Sequence, residues 1–97
     1  MRFEWDEEKR LGNLEKHGVD FIDAPQLFSN EMVIALDRRI DYGEARFIGF
    51  GVLNRRVMAV VFSMRKPNII RIISLRKANR REQRRYEQSV ADRLGKN

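Results

Sequence analysis

The run Arg56–Met64 constrains the fold more than any other stretch. Val57, Met58, Val60, Val61 and Phe62 are apolar at both parities of an extended strand. Side chains alternate between the two faces of a strand, so both faces here need cover and the run belongs in the middle of a sheet. Its neighbours follow from the turns. Ala45–Leu53 precedes it across a tight Asn54–Arg55 turn, with Phe47, Gly49 and Gly51 on one side of the pleat and Ile48, Phe50 and Val52 on the other. Ile69–Leu75 follows Lys66–Pro67–Asn68, where proline fixes φ and withholds a ladder donor. Met32–Leu36 reads as a further strand, and Asp37–Gly43 as a polar turn region. Short connections between consecutive strands predict an antiparallel sheet of about four main strands.

Helices flank that sheet. Arg2–Trp5 alternates and suits a short edge strand. Asp6 is a natural N-cap, Glu7 and Glu8 suit a first helical turn, and Gly18 is a C-terminal stop. Leu11 and Leu14 supply the expected buried face of this helix, which ends over Asn13–Gly18. Asp20 starts a second helix with Asp23 three residues on, Pro25 in the first turn, and Phe21, Ala24, Leu27 and Phe28 as its apolar stripe. The last helix starts at Asn79, with Glu82 completing a capping box and Tyr86, Val90 and Leu94 forming a narrow seam. The expected class is α+β, a single domain over residues 1–97 with two N-terminal helices and one C-terminal helix.

Several chemistries find no support. Without cysteine there is no disulfide framework or thiolate metal site, and one histidine makes no convincing zinc site. The acidic residues of the first half stand mainly at helix starts, where capping explains them. No phosphate-binding glycine loop or dinucleotide fingerprint occurs; the G-x-G of Gly49 and Gly51 lies inside a strand, where tight packing explains it. No cofactor is expected. No apolar run approaches the ~20 residues that span a bilayer. The charged N-terminus lacks the apolar core of a signal peptide, so a cytoplasmic location and no membrane partner are expected.

Charge gives the positive indication. Residues 1–50 carry seven Lys or Arg against eleven Asp or Glu; residues 51–97 carry thirteen against three. Within Met64–Tyr86 nine cations face Glu82 alone. Such a surface suits phosphate, although a solvated helix or an acidic protein partner explains charge alone equally well. Strict alternation along Ile69–Arg76 puts Ile70, Ile72, Ser74 and Arg76 on one face and Arg71, Ile73 and Leu75 on the other. Lys77 follows at the strand end. Arg65 closes the preceding strand, at the opposite end of the hairpin from Arg76 unless a bend intervenes.

Fixed guanidinium groups offer paired donors to phosphate and stabilise a phosphorane. RNA can then be cut without metal by attack of its own 2′-OH. Arginine stays protonated, so a proton acceptor or donor is needed from Lys77, His17, Tyr42, Tyr86 or a carboxylate such as Glu82. The residues do not choose among them. Each has a structural alternative: His17 capping its helix, Tyr86 as seam, Glu82 as cap, Trp5 as packing.

Four motifs carry a resemblance. F-E-W-D-x-x-K at the start, N-x-x-K-H-G-V over Asn13–Val19, D-Y-G-E-x-R over Asp41–Arg46 and R-I-I-S-x-R-K-A-N-x-x-E over Arg71–Glu82 resemble, in order and over nearly the whole chain, the BrnT toxins of BrnT–BrnA type II toxin–antitoxin systems. The resemblance implies a compact RelE-like fold and a metal-independent ribonuclease that blocks translation. It also implies a BrnA-like antitoxin, operator DNA bound by the toxin–antitoxin complex, and an assembly such as a heterotetramer. Carried onto this chain, it implies Arg65, Arg76, Lys77 and His17 as catalytic residues. Lys16, Ser74, Arg80, Arg81, Arg84 and Tyr86 become substrate contacts. The alternative expectation is a non-catalytic module that binds nucleic acid or antitoxin, for example an operator-binding repressor subunit.

Overall fold

The computed structural model describes residues 1–39, 43–65 and 67–95. Tyr42, Asp41 and Lys66, each given a part in the expectations above, lie outside the described residues. Among the described residues five strands form one sheet: β1 (Arg2–Trp5), β2 (Val33–Leu36), β3 (Phe47–Leu53), β4 (Arg56–Arg65) and β5 (Ile69–Lys77). Their spatial order is β1-β5-β4-β3-β2. Three helices accompany them: α1 (Glu7–His17), α2 (Ala24–Phe28) and α3 (Arg80–Arg93). The α+β class and the central place of β4 are borne out, with Val57–Ser63 buried without a break.

The sheet is mixed rather than purely antiparallel. β1 pairs parallel to β5, Arg2 opposite Ile69 and Trp5 opposite Ile72. The long connection through the helices lets the chain return in the same direction, which no hairpin allows. Asn54 and Arg55 both take positive φ (52° and 66°), the backbone that a two-residue β3–β4 turn demands. The second helix is split: Asp20 caps a short 3-10 turn over Phe21–Asp23, and α2 begins only at Ala24. Phe21, Ala24 and Leu27 are still fully buried. They join Met58, Val60, Phe62, Ile70, Ile72 and Leu75 in the main core. α2 lies close on β3, and a Cβ at Gly51 would come within 3.3 Å of Leu27, so the G-x-G is indeed a packing feature. α3 covers the other face of the sheet, where Tyr86 and Val90 pack on Val33, Phe50 and Val57. The predicted third seam residue, Leu94, is 69% exposed; it stands just past the end of α3, as its C-cap.

Two departures from simple periodicity matter most. Leu11 and Leu14 do not face the core; they are 52% and 37% exposed, and Asn13 is the buried residue of α1. β1 stops opposite Ile72, so β5 beyond that point lacks a strand on this side. Asn13 replaces it. Its Nδ2 donates to the carbonyl of Leu75 at 2.7 Å and to that of Val19 at 3.2 Å. Its Oδ1 accepts from the N–H of Leu75 at 3.1 Å. The second departure is a β-bulge. Val61 pairs with Ser74 but Phe62 pairs with Ile72, so Ile73 is an extra residue in β5.

At the start of α3 the expected capping box is present. Asn79 Oδ1 accepts from the N–H of Glu82 at 2.8 Å, and Glu82 accepts from the N–H of Asn79 at 2.9 Å. Glu82 also holds Arg76 through two hydrogen bonds of 2.8 and 2.9 Å. One ion pair thus ties α3 to the end of β5.

Two outcomes test these ties. Asn13→Ala leaves both main-chain groups of the fully buried Leu75 without partners. A loss of about 2–4 kcal/mol in urea denaturation is expected, since each buried unsatisfied group costs roughly 1–3 kcal/mol. A loss under 0.5 kcal/mol, roughly the scatter of an ordinary surface change, would overturn the account. Glu82 is held below its ordinary value of 4.5, chiefly by Arg76 and then by the Asn79 N–H. A depressed carboxyl contributes stability that is complete above its unfolded value and is lost as pH falls through its folded value. Glu82→Gln keeps the cap acceptor and removes the charge. Below pH 4.5 the wild type should therefore lose stability more steeply than the variant; identical acid limbs would mean that the pair contributes nothing.

Candidate functional site

The bulge decides which side chains share a surface. With Ile73 extra, Ile70, Ile72 and Leu75 all turn toward the main core. Arg71, Ser74 and Arg76 turn to the opposite face, the one α3 partly covers. The expected partition of β5 is corrected accordingly: Arg71 joins Ser74 and Arg76, and Ile70 and Ile72 leave them. Register places Ser63 opposite Arg71 and Glu4 beside Arg71 on the same face. Arg65 follows Ser63 by two residues and also lies there.

Three charged groups gather at the end of this face farthest from α3. Glu4 Oε2 accepts from Arg71 Nη1 at 3.0 Å and lies 3.4 Å from Arg65 Nε. The trio carries one cation in excess, and all three side chains are partly exposed. Below them Ser63 is 1% exposed, and its hydroxyl has no hydrogen-bond partner among the described residues.

At the other end stands the Arg76–Glu82 pair. Arg76 Nη1 also reaches the carbonyl of Lys77 at 3.3 Å. The pairing raises the affinity of Arg76 for its proton and lowers that of Glu82, so both stay ionised at neutral pH. Nearby, the buried Asp37 accepts two bonds of 2.9 Å from Arg39, which hold its carboxyl well below the usual range. Arg38 and Arg85 stand beside these pairs and form no ion pair among the described residues.

The two expected leading residues do not meet. Ala59, the partner of Arg76, and Arg65 are six residues apart on β4. At about 3.3 Å per residue the two guanidinium-bearing positions are about 20 Å apart, too far to share one phosphate. Lys77 turns to the opposite face from Arg76. There it lines a cavity of about 560 Å3 with Asp20, Asp23, Arg55 and Arg56. Lys16 and His17 close α1 beside Gly18, which lines that same cavity. His17 is half-buried, and its imidazole makes no hydrogen bond among the described residues. Tyr86 is 8% exposed and donates its hydroxyl to the carbonyl of Glu31 at 3.2 Å. Burial pushes its phenol up, so it keeps its proton at neutral pH. Arg80 and Arg84 line a cavity of about 610 Å3 with Arg56 at the start of α3, and Arg81 is exposed.

Glu4 and Arg71 escaped the sequence reading. The signal for Arg71 is the spacing of Ile70, Ile72 and Leu75, two then three, which breaks alternation where the bulge occurs. For Glu4 it is the flanking Phe3 and Trp5, both packed on the core, which force Glu4 to the other face. Among the described residues no three His, Asp or Glu side chains gather as metal ligands, and no helix is long and apolar enough to cross a membrane.

Known proteins give this arrangement a context. Residues 5–82 match the family described as the ribonuclease toxin, BrnT, of type II toxin–antitoxin systems. The fold is similar to the crystal structure of the Brucella abortus ribonuclease toxin BrnT. That likeness has a TM-score of 0.63 and 30% sequence identity, over 82% of this chain and 99% of that one. No curated protein sequence matches. With most of this chain matched by the family and its fold shared with a solved member, this chain belongs to the BrnT family of ribonuclease toxins of type II toxin–antitoxin systems.

Proposed function

We propose that this chain cuts RNA without a metal ion and that the reaction centre is the Glu4–Arg65–Arg71 end of the α3 face. The observation that carries the reading is the bulge at Ile73, which puts Arg71 and Arg76 of β5 on one face, the face where Arg65 of β4 also lies. An RNA strand laid along it meets cations at both ends. Arg65 and Arg71 offer fixed donors to a phosphate, where charge develops as the phosphorane forms. Glu4, between them, is the nearest carboxylate and accepts the proton of the attacking 2′-OH. The 2′-oxygen bonds to phosphorus, the bond to the 5′-oxygen breaks, and that oxygen takes a proton from water. The products are a 2′,3′-cyclic phosphate and a 5′-hydroxyl. Arg76, with both terminal nitrogens on Glu82, binds and positions the strand and is not the centre of reaction. Lys77 and His17, on another surface, serve antitoxin or substrate contacts outside the reacting atoms.

The family supplies the partner class: a type II toxin has a protein antitoxin. A BrnA-like antitoxin carrying acidic groups fits the cationic α3 face and would exclude RNA from it. The toxin–antitoxin complex would then bind its operator DNA.

Purified chain incubated with RNA and EDTA should yield fragments ending in 2′,3′-cyclic phosphate. RNA left intact in EDTA but cut on adding Mg2+ would overturn metal independence. Glu4→Gln should lower kcat by about 10²–10⁴-fold, the usual range for loss of a general base, and Arg65→Ala should also impair cleavage. Retention of near wild-type kcat in both, with circular dichroism unchanged, would move the centre elsewhere on the chain.

A further inference from the structure

Between β2, β3 and the first turns of α3 lies a pocket of about 300 Å3, opening on the α3 face near the Arg76–Glu82 pair. Ile48 and Phe50, half-buried, are apolar parts of its lining. Arg38 and Arg85 stand at its rim, and Glu82 forms one side. The volume is at the low end of small-molecule sites, which run from about 300 Å3. It suits one planar base more than a dinucleotide. Charge points the same way. Asp37 and Glu82 are each matched by an arginine, so Arg38 and Arg85 are surplus cations beside an apolar floor. A flat apolar surface with cations at its margin takes a base by stacking and its phosphate by charge.

We propose that this pocket is a base-binding subsite for the RNA, on the premise that the chain is a ribonuclease, and that it disfavours uracil. The preference follows from hydrogen-bond capacity. A carboxylate has about four acceptor positions. Glu82 uses three, two for Arg76 and one for the Asn79 N–H. The remaining position accepts from the exocyclic amine of adenine, cytosine or guanine; uracil has only its N3–H, flanked by two carbonyl oxygens that it must bring up against the carboxylate. Because Ile48 and Phe50 stand opposite Val61 and Ala59, four and six residues from Arg65 on β4, the pocket lies about 13–20 Å along the sheet from Arg65 and reads a base a few nucleotides from the reacting phosphate. It sets where the strand docks rather than how fast the bond breaks.

The test needs binding, not cleavage. The full chain labelled with 15N is titrated separately with 5′-AMP, CMP, GMP, UMP and inorganic phosphate. The amides of Ile48, Phe50 and Arg85 should shift with the first three, with affinity for UMP weaker than for each of them. Phosphate alone should leave Ile48 and Phe50 in place. Ile48→Trp fills the pocket and should weaken AMP binding at least about tenfold, as loss of one base-stacking platform predicts. The double change Arg38→Ala with Arg85→Ala, which removes no core side chain, gives the same test where the tryptophan variant fails to fold. Equal affinity for all four nucleotides, the same shifts with phosphate, or undiminished binding by the folded variants would each overturn the subsite. Nucleotide binding by a chain that leaves RNA intact would sink the ribonuclease reading while leaving the subsite standing. Cleavage by a chain whose pocket amides ignore all four nucleotides would sink the subsite alone.

Discussion

The functional face depends on how β5 is held once β1 has ended. Past Trp5 there is no strand to take the main-chain groups of Leu75, and Leu75 is wholly buried. An unpaired buried N–H and C=O would cost several kcal/mol together. Asn13 meets both with one planar amide, which offers a donor and an acceptor side by side. A leucine at this position would add apolar area but leave both groups unmet. The same contact fixes the depth to which α1 settles on the edge of the sheet. It lies directly after the bulge, so it also holds β5 in the phase that turns Leu75 inward and Arg76 outward. Without that phase change Arg71 and Arg76 would point to opposite sides of the sheet.

Electrostatics on this face are organised as pairs rather than as a bare field. Arg76 is matched by Glu82, Arg39 by Asp37, and Arg65 and Arg71 share Glu4. The more exposed pairs, those of Glu4, add little to stability, typically about 0–1 kcal/mol each. Their effect is geometric: a guanidinium held by a carboxylate keeps one orientation, so less side-chain freedom remains to be lost when a phosphate arrives. The arrangement also grades the arginines. Arg76 has both terminal nitrogens engaged and can offer an incoming anion only a shared proton. Arg65 and Arg71 divide one carboxylate and keep donors in reserve. The +10 of the second half of the sequence overstates what a substrate meets, because Glu4, an acid from the first half, is folded in between Arg65 and Arg71.

Elements whose determinants are local were legible in the sequence. The Asn79–Glu82 box, the Asn54–Arg55 turn and the doubly apolar β4 each rest on residues adjacent in the chain. Elements set by distant partners were not. Leu11 and Leu14 have the spacing of a buried face, yet α1 is positioned by Leu75, sixty-two residues away, and its leucines are left outside. The parallel pairing of β1 has no local signature, since nothing in Arg2–Trp5 encodes its neighbour. Alternation alone misassigned Ile70, Ile72 and Arg71, because an extra residue in one strand is visible only against its partner strand. Of the candidate site, Arg65 and Arg76 were legible as cations at strand ends. That they belong to one face but not to one phosphate was not.

The S-x-R-K element shows what alternation does to a short motif. Ser74 and Arg76 look toward α3, while Lys77 looks toward the cavity bordered by α1 and the β3–β4 turn. The K-H-G element at the end of α1 closes against that second cavity, through Gly18. Two motifs distant in sequence thus converge on the side away from Arg76. The β4 layer between the two surfaces is buried without a break from Val57 to Ser63, and Lys77, the last residue of β5, stands where the two surfaces come nearest. These two motifs therefore stand on two surfaces, one cationic, the other mixed in charge through Asp20, Asp23, Arg55, Arg56 and Lys77. A surface with both signs of charge offers a partner fixed pairing positions rather than a uniform field, the character of a protein-recognition site more than of a phosphate track.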